Sequence, residues 1–265
     1  MAFSTDKRTK LKRVFKFLKV TGITLLAIGA ILITAKLVLD KPIPEGEEGP
    51  RAEALAHKML AAINDSSWQK VEAVKWNFDN RHKLLWDKQR HFARVEWDNY
   101  TAFIDCETQH GYILDGNEKV DESDAKELLE QAYFLWANDS YWLNPISKIY
   151  DYGVTRKYVK TEDGNGALLV TYSSGGVTPG DSYLWYVDEN GRPYKWEMWV
   201  KIVPINGLET TWEEWKRFAD GPRISTKHKL GPATTQILDV EMVSNSNEWF
   251  FDDPFGKLEI AISKY

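Results

Sequence analysis

The sequence has very little cysteine, with Cys106 as its single example in 265 residues. One thiol excludes an internal disulfide and any metal site built from clustered cysteines. The five histidines also lack the His-Glu-x-x-His spacing with which many enzymes bind zinc. We therefore predict no metal and no cofactor, and we expect Cys106 to be a buried, small apolar side chain.

Motifs for catalysis are equally scarce. Gly180-Asp181-Ser182 has the letters of an esterase nucleophile motif, but it precedes a predicted strand, so a turn explains it better. Ser67-Trp68-Gln69-Lys70 has the Ser-x-x-Lys spacing of penicillin-binding enzymes without their companion motifs. The sequence therefore predicts no catalytic residues, and we expect a protein that is not an enzyme.

Charge is divided unevenly along the chain. Residues 1–39 carry eight basic groups and one acidic group, whereas the remainder carries 26 basic and 38 acidic groups. The acidic remainder would repel phosphate backbones, which excludes nucleic acid as an expected partner. The basic start instead precedes a long apolar stretch, which is typical of a segment that sets membrane topology.

The apolar stretch covers residues 20–39 and is interrupted only by Lys36. Twenty helical residues rise about 30 Å, the thickness of a bilayer core. We therefore predict a cytoplasmic segment over 1–19 and a transmembrane anchor over 20–39 in the inner membrane, with the rest of the chain in the periplasm. The alternative is a signal peptide that is cleaved near Ala35, which would release the chain into the periplasm.

Residues 40–50 separate this anchor from the rest of the chain. They contain three prolines, two glycines and four acidic groups, which is typical of an extended linker. Residues 51–265 then form the predicted periplasmic domain. Its first element is an amphipathic helix that ends near Asn64.

An aromatic hairpin over 182–200 gives the clearest local prediction. The Asn190-Gly191 dipeptide favours a two-residue type I′ turn, because both central positions need positive φ. That turn fixes the pairing of the strands and makes one face of the hairpin apolar. The predicted pairs are Val187–Tyr194, Trp185–Trp196 and Tyr183–Met198.

Alternating patterns predict further antiparallel strands on both sides of the hairpin. Before it they cover 71–79, 91–97 and 100–105, and the remaining strands are predicted at 168–173, 210–216, 223–230 and 238–243. In the last two strands, opposite charges predict that Lys229 pairs with Asp239 and Lys227 with Glu241. That register turns His228 inward opposite Val240.

A second helix is predicted to begin with Ser123 as its N-cap and to run to Trp136. Its apolar arc is wide, so we expect it to fill the hollow of the sheet. The predicted fold is therefore α+β, with a curved antiparallel β-sheet, a half-barrel, that holds plug helices and is preceded by one N-terminal transmembrane helix.

Aromatic residues are unusually frequent, with twelve Trp, twelve Tyr and eleven Phe. This number exceeds what one core requires, so we expect some of them to line a ligand cavity. The candidate cavity residues are Trp76, Phe78, Trp97, Tyr133, Trp136, Tyr183, Trp185, Trp196, Met198 and His228.

Two blocks of the sequence are similar to segments of envelope proteins from two-membrane bacteria. The first runs from Ala137 to Leu143 and continues through Lys148 into 151–154 (DYGV). The second is 177–181 (VTPGD), which leads into the first strand of the hairpin. On these blocks, roughly residues 50–260 resemble the LolA/LolB-like superfamily.

The resemblance implies an antiparallel half-barrel that is closed over by helices and whose apolar cavity accepts acyl chains. Within the superfamily LolA is similar to a soluble shuttle and LolB to a lipid-modified acceptor, whereas this chain is predicted to be tethered by a helix. No residue here matches the cargo-gating arginine of the carrier, so the resemblance assigns no functional residue.

These observations predict a membrane-anchored periplasmic protein that binds a lipid or a lipoprotein acyl chain without catalysis. The expected partners are that lipid, the inner membrane through the N-terminal helix, and an envelope protein. Two alternatives stay open. One is an envelope protein-interaction module with a filled core, and the other is a carbohydrate-binding domain that uses exposed aromatic rings.

Overall fold

A computed structural model describes residues 19, 23, 24, 34, 36, 38–164, 166–174, 178–218, 221–250 and 252–263. Among these residues there is no helix with the length and apolar character needed to cross a membrane. The anchor predicted over 20–39 lies outside the described residues except at positions 23, 24, 34, 36, 38 and 39.

In the described part of the chain, four α-helices and two short 3₁₀ turns accompany the strands. Pro50 suits the first turn of a helix, where its missing N–H costs nothing, and Asn64 in the left-handed region ends that helix. The helices are α1 (Pro50–Ile63), α2 (Asp65–Trp68), α3 (Glu122–Leu143) and α4 (Gly256–Ile262), and the 3₁₀ turns are Pro145–Lys148 and Ser246–Glu248.

The described residues include fourteen strands, which form two antiparallel sheets. The nine-stranded sheet has the order β12-β13-β14-β1-β2-β3-β4-β5-β6, and the five-stranded sheet has the order β11-β10-β9-β8-β7. The strands are β1 (Ala73–Phe78), β2 (His82–Asp87), β3 (Phe92–Trp97), β4 (Tyr100–Asp105), β5 (Gly111–Asp115), β6 (Glu118–Lys119), β7 (Val154–Val159), β8 (Ala167–Tyr172), β9 (Ser182–Val187), β10 (Pro193–Trp199), β11 (Leu208–Thr211), β12 (Glu213–Arg217), β13 (Arg223–Leu230) and β14 (Ala233–Val243).

The two sheets meet at Trp212. This residue alone separates β11, an edge of the five-stranded sheet, from β12, an edge of the nine-stranded sheet. The Lys229 backbone N–H donates to the Thr211 hydroxyl at 3.0 Å, which ties β13 to the end of β11. The described strands therefore form curved antiparallel sheets that do not close, and the predicted α+β class with curved antiparallel sheets is confirmed.

Helix α3 packs on the apolar face of the nine-stranded sheet. Its Ala132, Leu135 and Trp136 belong to the same buried cluster as Trp76 and Ile104 of the strands. The predicted helix therefore packs against the apolar face of the sheet.

The predicted ends of α3 are wrong on both sides. Asp121 is the N-cap instead of Ser123, and the helix continues to Leu143, well beyond Trp136. It continues because Asp139 is buried and paired, with its Oδ2 2.7 Å from His82 Nδ1 on β2. A distant partner therefore stabilises a polar sequence that would otherwise favour the end of a helix.

The β9–β10 hairpin confirms two of its three predicted pairs. Trp185 faces Trp196 and Tyr183 faces Met198, but Val187 pairs with Pro193 instead of Tyr194.

The turn of this hairpin explains the difference. Gly191 N–H donates to the Asp188 carbonyl at 2.9 Å, and Gly191 has φ +82° while Asn190 is not among the positive-φ residues. This is a type I turn followed by a left-handed glycine, a three-residue loop that adds a bulge. The predicted type I′ turn is therefore wrong, and a separate register shift between Pro193 and Lys195 restores the predicted pairing at Trp185–Trp196.

The predicted register of β13 against β14 is also wrong. β14 begins at Ala233, earlier than the predicted strand, so Lys229 faces Thr234 instead of Asp239. Lys227 likewise faces Gln236 instead of Glu241. The predicted inward direction of His228 holds, since its side chain is buried.

The opposite charges find partners on the other neighbouring strands. β14 has eleven residues and pairs with β13 through its first part and with β1 through its second part. The resulting ion pairs are Lys229–Glu213 at 3.0 Å, Lys227–Glu214 at 3.0 Å and Lys75–Glu241 at 2.9 Å.

The segment 40–50, which was predicted as a linker, is extended and hydrogen-bonded to the five-stranded sheet and the loop that follows β10. Lys41 N–H donates to the Asn206 carbonyl at 3.1 Å, and Trp199 Nε1 donates to the Lys41 carbonyl at 2.7 Å. Glu47 forms an isolated antiparallel bridge with Tyr158 of β7. Over this stretch the chain is fixed against the sheet.

The C-terminal helix α4 covers the other face of the nine-stranded sheet. Phe255 is fully buried there, in one cluster with Phe92. Arg90 binds Asp253 at 2.8 Å and Glu259 at 3.0 Å, which fixes α4 to the loop between β2 and β3.

Candidate functional site

A cavity of about 690 Å³ lies beside the C-terminal half of α3. Its walls come from α3, from the β9–β10 hairpin and from the loops that follow α3, β8 and β10. Residues just before β3, just after β4 and at the end of β13 complete them. This volume falls within the range of about 300–1,000 Å³ that is typical of small-molecule sites.

Half of the sequence-predicted cavity residues lie on its walls. The hairpin contributes Tyr183, Trp196 and Met198, and α3 contributes Tyr133 and Trp136. The hairpin residues share one face because Tyr183 pairs with Met198 while Trp196 lies two residues before Met198 on the same strand. The register of the hairpin therefore builds one apolar wall of the cavity.

The structure places the other five candidates in the core, outside the cavity lining. Trp76, Phe78 and Trp97 are buried between the nine-stranded sheet and α3. Trp185 is fully buried behind Trp196, with ring centroids 4.7 Å apart.

His228 is the fifth of these core residues. Its ring lies 4.2 Å from that of Trp212, and its Nδ1–H donates to the Thr211 carbonyl at 3.3 Å. Burial in this aromatic cluster lowers the pKa of His228 to about 4.

Tyr141 and Tyr172 were not among the predicted cavity residues, and they join Tyr183 on the wall. The ring centroids of Tyr141 lie 5.1 Å from Tyr183 and 5.7 Å from Tyr172, and those of Tyr172 and Tyr183 are 6.0 Å apart. The signal for Tyr141 was its place in the block Ala137 to Leu143, whereas no pattern in the sequence indicated Tyr172. We refer to these three residues as the tyrosine trio.

The hydroxyls of the tyrosine trio are buried and neutral. Burial raises the pKa of all three, and the Tyr141 hydroxyl is also close to those of Tyr172 and Tyr183. Within the described part of the chain, the hydroxyl oxygens of Tyr141 and Tyr172 have no hydrogen-bond partner. The trio therefore presents phenol groups that can donate hydrogen bonds.

Charged groups lie at the edge of the cavity. Burial raises the pKa of the Asp151 carboxyl, and the nearby Lys148 ammonium opposes that shift. Asp181 accepts hydrogen bonds from the Thr178 hydroxyl and, at 3.1 Å, from Lys201 N–H. Asp181 therefore stabilises the turn before β9, as predicted for the Gly-Asp-Ser triplet.

Cys106 also lines the cavity, together with Glu107 and with His91, whose carbonyl accepts from Cys106 N–H at 2.8 Å. It is buried as predicted, and that burial raises the pKa of its thiol well above the ordinary value. A thiol of this kind is a poor nucleophile at neutral pH.

The side chains of the lining determine what the cavity could hold. Large apolar and aromatic side chains can bury a hydrocarbon chain, and phenol groups can donate to a polar acceptor. Across the described residues there is no cluster of three or more His, Cys, Asp or Glu side chains that could hold a metal ion.

Comparison with known proteins shows a coarse similarity of fold. No protein-family model matches the sequence, and no curated protein sequence matches it. Among solved structures, the chain is similar to a crystal structure of a DUF1329 family protein from Desulfovibrio piger ATCC 29098. The TM-score is 0.42 and the identity 11%, with 75% of this chain and 96% of that chain covered. The relation is one of coarse fold, and no functional conclusion rests on it.

Proposed function

We propose that this protein binds the acyl chain of a lipid or lipoprotein in the cavity beside α3, without catalysing a reaction. The apolar cavity of about 690 Å³ is the observation that carries the proposal. Burial of each methylene group in such a cavity contributes about 0.8 kcal/mol, so a long chain binds without directional contacts. Attachment to the inner membrane and a periplasmic location belong to the same proposal.

Two further observations support this function over the alternatives. Both blocks that resemble envelope proteins contribute to the cavity, the first through Tyr141 and Lys148 and the second through Thr178. All twelve tryptophans lie in the described part of the chain, and none of them is exposed there. A carbohydrate surface built on stacked indoles would need several exposed tryptophans, and a filled interaction module would lack the open cavity.

Filling the cavity is expected to abolish most of the binding. Ala137 lies on the cavity wall, so Ala137→Trp would place an indole where the acyl chain lies. Loss of space for three methylenes costs about 2.4 kcal/mol, or about 50-fold in affinity. The measurement is a fluorescence titration with the uncharged apolar probe N-phenyl-1-naphthylamine, followed by its displacement with methyl laurate.

The matched control is Gln131→Trp, which adds the same ring to the exposed side of the same helix. It should bind the probe as the wild type does. Mass spectrometry of organic extracts from the purified protein gives a second readout. Absence of both extracted lipid and probe binding in the wild type would overturn the proposed function.

Cys106 offers a direct report on occupancy of the cavity, since it lies on the lining and is the single cysteine of the sequence. Methyl laurate is expected to slow its alkylation by N-ethylmaleimide in the native protein but not in urea. Because burial raises the thiol pKa, the native rate should keep increasing above pH 9. Equal native rates with and without the ester, at saturating ester, would contradict an acyl chain in this cavity.

A further inference from the structure

We propose that the tyrosine trio, Tyr141, Tyr172 and Tyr183, binds an uncharged carbonyl oxygen, that of the ester or amide through which the acyl chain is attached. The inference rests on the proposed function and adds the chemical class of the ligand's polar group.

The trio brings together three separate elements at one place on the wall. Tyr141 comes from α3, Tyr172 from the end of β8 and Tyr183 from β9. All three side chains line the cavity, and each ring lies within 6.0 Å of the other two by centroid distance. Three phenol groups from separate elements thus converge on one wall of an otherwise apolar cavity.

Two of the three hydroxyls, those of Tyr141 and Tyr172, have no partner with hydrogen-bond geometry in the described part of the chain, although the hydroxyls of the trio lie close to one another. Buried polar groups in folded proteins are nearly always hydrogen-bonded, and the exceptions call for an explanation. The hydroxyl oxygens of Tyr141 and Tyr172 are buried, and neither finds a hydrogen-bond partner among the described residues. A ligand oxygen that accepts from these groups would satisfy them.

The charges around the trio select an uncharged acceptor. Burial is the main cause of the raised pKa of Tyr172 and of Tyr183, and the carboxylates of Asp151 and Asp181 respectively raise these pKa values further. An anion placed among these hydroxyls would meet the same negative potential, with Lys148 as the one cation in the lining of the described cavity. An ester or amide carbonyl accepts strong hydrogen bonds without adding charge.

The test compares probe displacement by methyl laurate, by tridecane and by laurate. We expect the ratio of ester to hydrocarbon affinity to fall about tenfold in the double variant Tyr141→Phe/Tyr172→Phe. Comparing this ratio between wild type and variant cancels the difference in water solubility between the ester and the hydrocarbon. Removing unpartnered hydroxyls should leave the melting temperature unchanged or higher, so the variant is expected to fold.

Tyr112→Phe is the matched control, because Tyr112 stacks on Phe103 and lies outside the cavity lining. Its ratio should equal that of the wild type. An unchanged ratio in the double variant, or tighter binding of laurate than of the ester, would overturn the assignment of the trio. Hydrocarbon binding would then still support the proposed function. If none of the three ligands displaced the probe, both the proposed function and the role of the trio would be overturned.

Discussion

Replacing Trp212 with alanine is expected to lower the free energy of unfolding by about 3–5 kcal/mol. Trp212 is 3% exposed and occupies the single position between the two sheets. Its ring lies 5.0 Å from Trp185 and 4.9 Å from Trp196 by centroid distance. Truncation would leave a void at the junction that both sheets share, where backbone hydrogen bonds restrict collapse.

The same substitution should weaken ligand binding, because Trp196 is a cavity wall residue that packs on Trp212. Urea titration gives the stability, and probe titration at low urea gives the binding. The control is Trp249→Ala, since Trp249 is partly exposed and lies under the Lys75 ammonium at 5.1 Å. A loss below about 1 kcal/mol for Trp212→Ala would show that the two sheets do not depend on this ring.

The apolar wall of the cavity could be predicted because large side chains alternate with polar ones on both strands of the hairpin. Burial of one face leaves a single register for Trp185–Trp196, since a shift by one residue would bury charges. The turn was harder to predict. An Asn-Gly dipeptide suits both a two-residue and a three-residue loop, and Asp188 decides between them by accepting from Asn190 N–H at 2.9 Å.

Contacts between residues distant in the sequence explain most of what pattern alone could not predict. The end of α3 depends on His82, which lies 57 positions before Asp139. The charges of β14 could pair with either neighbouring strand, and the sequence does not state which strand lies next to it. Glu241 pairs with Lys75 of β1 because the sheet order places β1 beside β14.

The cavity could be predicted only in part for the same reason. The high aromatic content indicates that some rings line a cavity. It does not indicate which rings lie on the cavity wall and which lie in the core. Trp185 and Trp196 face each other on adjacent strands, yet only Trp196 reaches the cavity. Tyr172 joins the wall because β8 pairs with β9, a neighbour relation that the sequence pattern leaves open.

His228 is expected to make the protein less stable as the pH falls below 6.5. The His228 Nδ1–H donates to the Thr211 carbonyl, while its Nε2 is buried without a partner among the described residues. Protonation would place a second N–H and a charge inside a cluster of indole rings. Burial accordingly lowers the pKa of this imidazole to about 4, although the nearby Glu213 carboxylate opposes the shift.

The sign follows from proton uptake in the two states. Between pH 6.5 and about 4 the unfolded chain binds a proton at His228 that the folded chain does not bind. The free energy of unfolding therefore rises with pH across this window, and it should fall by about 2 kcal/mol from pH 7 to pH 5 through this group alone. Asp139 acts in the opposite direction, because burial raises its pKa.

The contribution of His228 is isolated by comparison with His228→Phe, which keeps a ring in the cluster but cannot titrate. Carboxylates such as Asp139 are common to both proteins, so they cancel in the difference between the two stability curves. In urea titrations from pH 7 to pH 4.5, the free energy of unfolding of the variant should rise relative to that of the wild type as the pH falls. Parallel curves would mean that the folded protein accommodates the imidazolium, and that the aromatic junction admits water or a counter-charge at His228.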